Sequence, residues 1–165
     1  MRAKTSSSPA GTLAILLLPA FLWGCGGGGG PEVEVLDPWA RPMAVETDPA
    51  GGEALPGVNS AVYLTVRNSG GAPDTLTGAS SPAAERVEIH ESYLEGDVMR
   101  MREVGPLPVP ADGEVDLRPG GLHLMLVGLR ESLLEEDTLS LVLDFRHSGS
   151  VPLEVPVRGL GMGGR

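Results

Sequence analysis

From Val33 onward, apolar residues recur at every second position in short runs, and Gly, Pro, Asn or Asp breaks each run. Val62, Leu64 and Val66 alternate with Tyr63, Thr65 and Arg67, and Leu139, Leu141, Leu143 and Phe145 repeat the pattern. A period of two belongs to a half-buried strand, whose side chains point alternately to its two faces. The pattern predicts strands at 33–36, 61–67, 74–79, 86–90, 98–104, 115–117, 122–127, 139–145 and 151–157. Strands this short and closely spaced predict an all-β Greek-key sandwich or barrel of about eight or nine strands. Residues 43–57, rich in Pro, Gly and Glu, predict a long surface loop. Residues 132–137 predict a helical turn, and 159–165 a frayed tail.

The first residues follow a different pattern. Arg2 and Lys4 precede an apolar run from Leu13 to Trp23 that is too short for a membrane-spanning helix. That arrangement predicts an export signal over 1–24. Its ending, Leu22-Trp23-Gly24-Cys25, resembles a bacterial lipobox, which makes Cys25 the expected lipidation site. Gly26 to Gly30 then form a flexible tether reaching Pro31. The expected organisation is a signal peptide (1–24), a lipidated cysteine and tether (25–31), one β-domain (32–158) and a tail (159–165). The expected location is outside the cytoplasm, on a membrane by its lipid alone, facing the periplasm or the cell exterior.

Charge and cysteine count narrow the chemistry. The formal net charge is −10, and removing Arg2 and Lys4 with the leader, but no acid, takes it to −12. Beyond Lys4 every basic residue is arginine or histidine. So acidic a chain disfavours nucleic acid and anionic lipid as partners and favours cations or cationic partners. Cys25 is the only cysteine, so the β-domain has neither a disulfide nor a thiolate metal site.

The candidate chemistry centres on Arg118-Pro119-Gly120-Gly121-Leu122-His123-Leu124-Met125-Leu126-Val127. Pro119, Gly120 and Gly121 mark a turn, and the following strand puts Leu122, Leu124 and Leu126 on its core face. His123 and Met125 share the other face. An imidazole beside a thioether suits a soft or borderline metal, copper(I) above all. Upstream, His90 lies opposite the core residues Val87 and Ile89 at a strand end. Met99 and Met101 share a face that excludes Val98. Taken singly, each of these residues reads more readily as structure than as a ligand. Methionine fills gaps in cores, and a lone histidine is more often a surface or satisfied residue. The pattern leaves Met99 and Met101 both open as ligands. His147 reads as a solvated loop residue, Glu135-Glu136-Asp137 as a solvated charged turn, and Trp39 and Arg41 as packing and edge residues.

The four-residue spacing is more specific. His90, ten residues, Met101, twenty-one residues, His123, one residue, Met125 resembles the motif of the PCuAC-type periplasmic copper chaperones at every position. The surrounding sequence resembles that family too, at Trp39-Ala40-Arg41-Pro42, Asn68, Ser81-Pro82-Ala83-Ala84, Val87-Glu88-Ile89-His90-Glu91, Pro119 to Leu126, and the segment from Gly149 to Val157. The resemblance implies a cupredoxin-like fold and a copper(I) site of His90, Met101, His123 and Met125, with Met99 as a possible auxiliary ligand. It also implies delivery of copper to cytochrome c oxidase assembly, whose acceptor would be the oxidase's subunit II or another copper protein of that assembly. Two departures stand out. Glu91 occupies a position where many members carry a second methionine, and the tail offers only Met162 where some members carry a His/Met-rich extension.

The donor set suits its expected compartment. Thioethers cannot form disulfides in an oxidising environment, and they favour copper(I) over hard cations. A storage or tolerance protein would need the same four ligands, and so remains an alternative to a chaperone. A metal-free β-sandwich interaction module is a further alternative. A blue-copper electron carrier needs a cysteine thiolate, which the β-domain lacks. No nucleophile–base pair or open metal triad suggests an enzyme.

Overall fold

The computed structural model describes residues 29–46 and 57–159. The expected signal peptide, Cys25 and Met162 lie outside the described residues. Ten strands form: β1 (Val33–Ala40), β2 (Ser60–Asn68), β3 (Asp74–Ser80), β4 (Ala84–Glu95), β5 (Val98–Glu103), β6 (Leu107–Val109), β7 (Gly113–Leu117), β8 (Leu122–Leu129), β9 (Thr138–Phe145) and β10 (Gly149–Pro156). The described residues contain no helix, and so no helix long and apolar enough to cross a membrane.

The strands make one antiparallel sheet in the order β1-β2-β8-β4-β3-β9-β10, with β5 added on β4, β6 on β3 and β7 on β2. Neighbours distant in sequence, such as β2 with β8 and β3 with β9, give it Greek-key character. Its two ends meet. Ala40 bridges Val157, and the Arg158 N–H donates to the Ala40 carbonyl at 2.9 Å, so the sheet nearly closes into a barrel. Closure removes the exposed edges that an open sheet would present.

Alternation decides which face is inside. In one cross-strand row Val62, Leu124 and Ile89 stand side by side on β2, β8 and β4, and all three are buried. Leu64, Val66, Leu126, Leu141, Leu143 and Val155 extend the same core. Each such side chain contributes about 1.5–3 kcal/mol by leaving water. The leucine face of β8 is thus the inner face, and the next residue in each strand of that row, His123 on β8 and His90 on β4, points outward.

Four sequence expectations need correction. The strand expected to end at His90 runs on to Glu95, so His90 lies within β4 rather than at its end. The two-residue turn Gly96-Asp97, with Gly96 at φ 63°, joins β4 to β5, and the exposed residues of this arm hide its period. The short strand β6 escapes notice because three residues carry no period. Residues 132–137 form no helical turn. There Leu133 exchanges backbone hydrogen bonds with Met43 at 2.8 and 2.9 Å, and Glu136 adopts φ 74°, outside the helical region. Met43 accordingly belongs to that bridge rather than to a surface loop.

Candidate metal centre

Four of the ten strands build the site. His90 on β4 and His123 on β8 are direct cross-strand partners, with ring centroids 5.9 Å apart. One step along, Met125 lies opposite Glu88 on β4 and Ala61 on β2. One step the other way, Met101 on β5 lies opposite Ser92 on β4. Met101, His123 and Met125 line a single depression with Arg41, Tyr63 and Ser92, whereas His90 is not in its wall and adjoins it through His123. Its volume of about 190 Å³ lies below the roughly 300–1,000 Å³ of pockets for organic ligands. Two larger hollows, beside Arg67 and Glu114 and beside Glu135 and Arg158, have no His or Met in their walls.

The turn before β8 orients His123. Arg118-Pro119-Gly120-Gly121 closes with the Gly121 N–H donating to the Arg118 carbonyl at 3.0 Å, and Gly120 sits at φ 80°. Proline second and a positive-φ glycine third is the pattern of a type II turn. The Gly121 carbonyl then accepts from the Ser92 N–H at 3.0 Å and from His123 Nδ1 at 3.1 Å. A carbonyl cannot donate, so Nδ1 carries the proton and the neutral ring keeps its Nε2 lone pair free. Burial pushes the His123 pKa below the ordinary histidine value. The Gly121 carbonyl opposes that shift, and His90 and Arg41 reinforce it. The imidazole is therefore neutral, and a potential ligand, at neutral pH.

His90 is held the other way round. Its Nε2 lies 2.8 Å from Glu88 Oε2, and a carboxylate only accepts, so the proton is on Nε2. Its Nδ1 is buried without a hydrogen-bond partner. A buried polar atom left unpaired is costly, and a bound ion is one way to satisfy it. The two rings thus present one uncommitted nitrogen each, beside two thioether sulfurs. Soft sulfur with neutral imidazole fits copper(I) and offers little to a hard cation. No group of three or more His, Cys, Asp or Glu among the described residues could hold a metal on its own.

The two β5 methionines now separate. Met101 is 58% and Met99 56% exposed, so neither fills a core gap. Met101 faces Ser92, next to the histidine row, whereas Met99 faces Leu94 one step further out and is absent from the depression's wall. His147 is exposed in a turn, where its N–H donates to Asp74. Glu135 and Glu136 are exposed, with no metal-binding cluster around them.

Sequence reasoning missed part of the wall. Arg41 lines the depression directly. An extra residue in β1 between Leu36 and Trp39, at Asp37 with φ 47°, brings Trp39 opposite Tyr63. Trp39 packs on Tyr63 at 4.6 Å between ring centroids, and Tyr63 on His123 at 6.2 Å. The clean alternation of β2 already put Tyr63 on the outer face. The bulge that aligns Trp39 with it left no mark in the hydrophobic pattern.

Comparison with known proteins agrees with this architecture. The chain matches the family described as "Putative lipoprotein LpqE-like" over residues 33–157. It is 32% identical over 100 residues to "Putative lipoprotein Lxx21020" of Leifsonia xyli subsp. xyli, covering 60% of each chain. It is 30% identical over 114 residues to "Uncharacterized protein RP573" of Rickettsia prowazekii, covering 68% of this chain and 59% of that one. The chain thus spans about 60% of the length of these curated relatives. Among solved structures it superposes on the "Copper-bound PCuAC domain from PmoF2" with a TM-score of 0.60, at 23% identity over 77% of this chain and 92% of that one. The copper(I) form of DR1885 from Deinococcus radiodurans gives a TM-score of 0.53, at 26% identity over 79% and 82% of the two chains. The fold is that of the PCuAC domains, and the chain belongs to the LpqE-like family.

Proposed function

We propose that this protein binds one copper(I) ion through His90, Met101, His123 and Met125 and carries it to an acceptor protein outside the cytoplasm. The observation that carries this reading is the facing histidine pair with one uncommitted nitrogen on each ring, set between two methionines. Copper is the cargo here. The chain holds and releases it by ligand exchange, which makes and breaks metal–ligand bonds without oxidation or reduction.

Exposure favours delivery over storage. His123 is 4% exposed and anchored by the turn, while Met101 lies on the outermost strand in solvent. An incoming thiolate can displace Met101 first while the histidines still hold the ion. A storage site would gain from closing over that side. The acceptor in this reading is a copper protein of cytochrome c oxidase assembly, with the oxidase's subunit II as first candidate. The relatives' lipoprotein names and the Leu22-Trp23-Gly24-Cys25 ending support anchoring through Cys25.

X-ray absorption at the copper edge of the copper(I)-loaded protein tests the donor set. Mixed nitrogen and sulfur ligation is expected, and nitrogen or oxygen ligation alone would refute it. Mixing the loaded protein with the soluble copper domain of an oxidase subunit II tests delivery. Retention of the copper by this protein would favour storage.

A further inference from the structure

We propose that Glu88 is a positioning residue that decides which nitrogen of His90 meets the metal. The inference rests on the copper(I) reading for the role of the metal, but its first step concerns the metal-free protein. Glu88 and His90 are two apart in β4, so both side chains leave the same outer face. Glu88 uses its two oxygens separately. Oε1 accepts from Arg86 Nε, and Oε2 accepts from His90 Nε2 at 2.8 Å. Its side chain is 19% exposed and that of His90 13%, so water competes only weakly for this contact.

The consequence is a choice of tautomer. With the proton fixed on Nε2, the lone pair of His90 is on Nδ1, the atom that is buried and unpartnered. His123 is fixed in the opposite sense, since the Gly121 carbonyl takes its Nδ1 proton and leaves Nε2. The two histidines therefore ligate through different nitrogens, one backed by a carboxylate and the other by a backbone carbonyl. A carboxylate behind a ligating imidazole fixes its orientation and raises its basicity. Glu88 also lies directly opposite Met125, so one short stretch of β4 aligns with both ligands contributed by β8. The motif spacing does not mention this residue, yet the alternation Val87-Glu88-Ile89-His90 places it there.

The test is long-range proton–nitrogen NMR of the full chain labelled in its histidines, without and with copper(I), together with copper(I) affinity by chelator competition. The metal-free protein is expected to show His90 with its proton on Nε2, and copper(I) is expected to shift Nδ1. In Glu88→Ala the His90 signals should move toward a tautomer mixture and the affinity should fall roughly 10–100-fold. Glu88→Gln, which keeps an oxygen acceptor, should restore the tautomer and most of the affinity. Arg86→Ala should preserve both, because it leaves Oε2 in place. In the metal-free proteins the His123 signals should be the same in every variant, which also certifies the fold. A proton on Nδ1 of His90 in the unmutated protein would overturn the proposal. So would a Glu88→Ala protein in which either the His90 signals or the copper affinity stays unaltered. If the unmutated protein binds no copper(I) at all, the carrier reading fails instead, and the metal-free spectra still decide the assignment of Glu88.

Discussion

Asp74 offers a test of the fold that leaves the candidate metal centre alone. It opens β3 and is 2% exposed, and its carboxylate reaches the turn between β9 and β10. Oδ1 accepts from the Thr75 and His147 N–H groups at 2.7 and 3.0 Å. Oδ2 accepts from the Ser148 N–H and hydroxyl at 2.9 and 2.6 Å. Burial alone would raise the pKa, but the Ser148 hydroxyl and the three amides outweigh it and lower it from 3.8 to about 2. At 1.36 kcal/mol per pH unit, that shift amounts to about 2 kcal/mol of stability at neutral pH. Asp74→Asn removes the charge and turns an NH2 toward one pair of donors, so it should cost at least that much. Because the folded-state pKa is depressed, the stabilisation is complete above pH 3.8 and disappears as pH falls through about 2. Urea unfolding followed by circular dichroism, from pH 7 down to pH 2 in both proteins, measures the gap. A gap of at least about 2 kcal/mol at neutral pH that shrinks by about 2 kcal/mol on acidification is expected. A gap within about 0.5 kcal/mol of zero at pH 7, or one that does not change with acid, would refute the clamp.

Two further predictions concern the site. Met101→Leu should change stability by no more than about 0.5 kcal/mol, because the residue is exposed, yet it should sharply weaken copper(I) binding; Met99→Leu should leave both unaltered. Unfolding curves and chelator competition on the two variants separate a ligand from its neighbour. Gly120→Ala, at φ 80° in the turn that aims the Gly121 carbonyl, should cost about 1–3 kcal/mol and weaken copper(I) binding by releasing the His123 ring. Equal stability and binding in that variant would show that the turn does not orient the ring.

Much of this arrangement was written in the alternation. The leucines of β8 and the Val62-Leu64-Val66 run assigned the inner face, and the same period put His90, His123 and Met125 together on the outer one. What stayed hidden has no period to read. The strand β6 is three residues long, and the Met43–Leu133 bridge joins single residues far apart in sequence. The far half of β4 and all of β5 carry no buried side chain, so the reach of the arm that bears Met101 depends on the Gly96-Asp97 turn rather than on hydrophobic spacing. Arg41 enters the wall of the depression because β1 pairs with β2 beside the site, a tertiary fact that local sequence does not encode. Glu88 was legible as a same-face neighbour of His90. Its tautomer-setting contact became visible only with the buried, unpartnered Nδ1 in view.

In the proposed function His90, Met101, His123 and Met125 form one copper(I) site. Titration of the protein with copper(I) against a competing chelator, beside the His123→Ala/Met125→Ala double variant, tests it most directly. One tightly bound equivalent is expected, lost in the double variant while its circular dichroism spectrum stays that of the parent. No competitive binding by the parent protein, or binding that survives in the double variant, would contradict it.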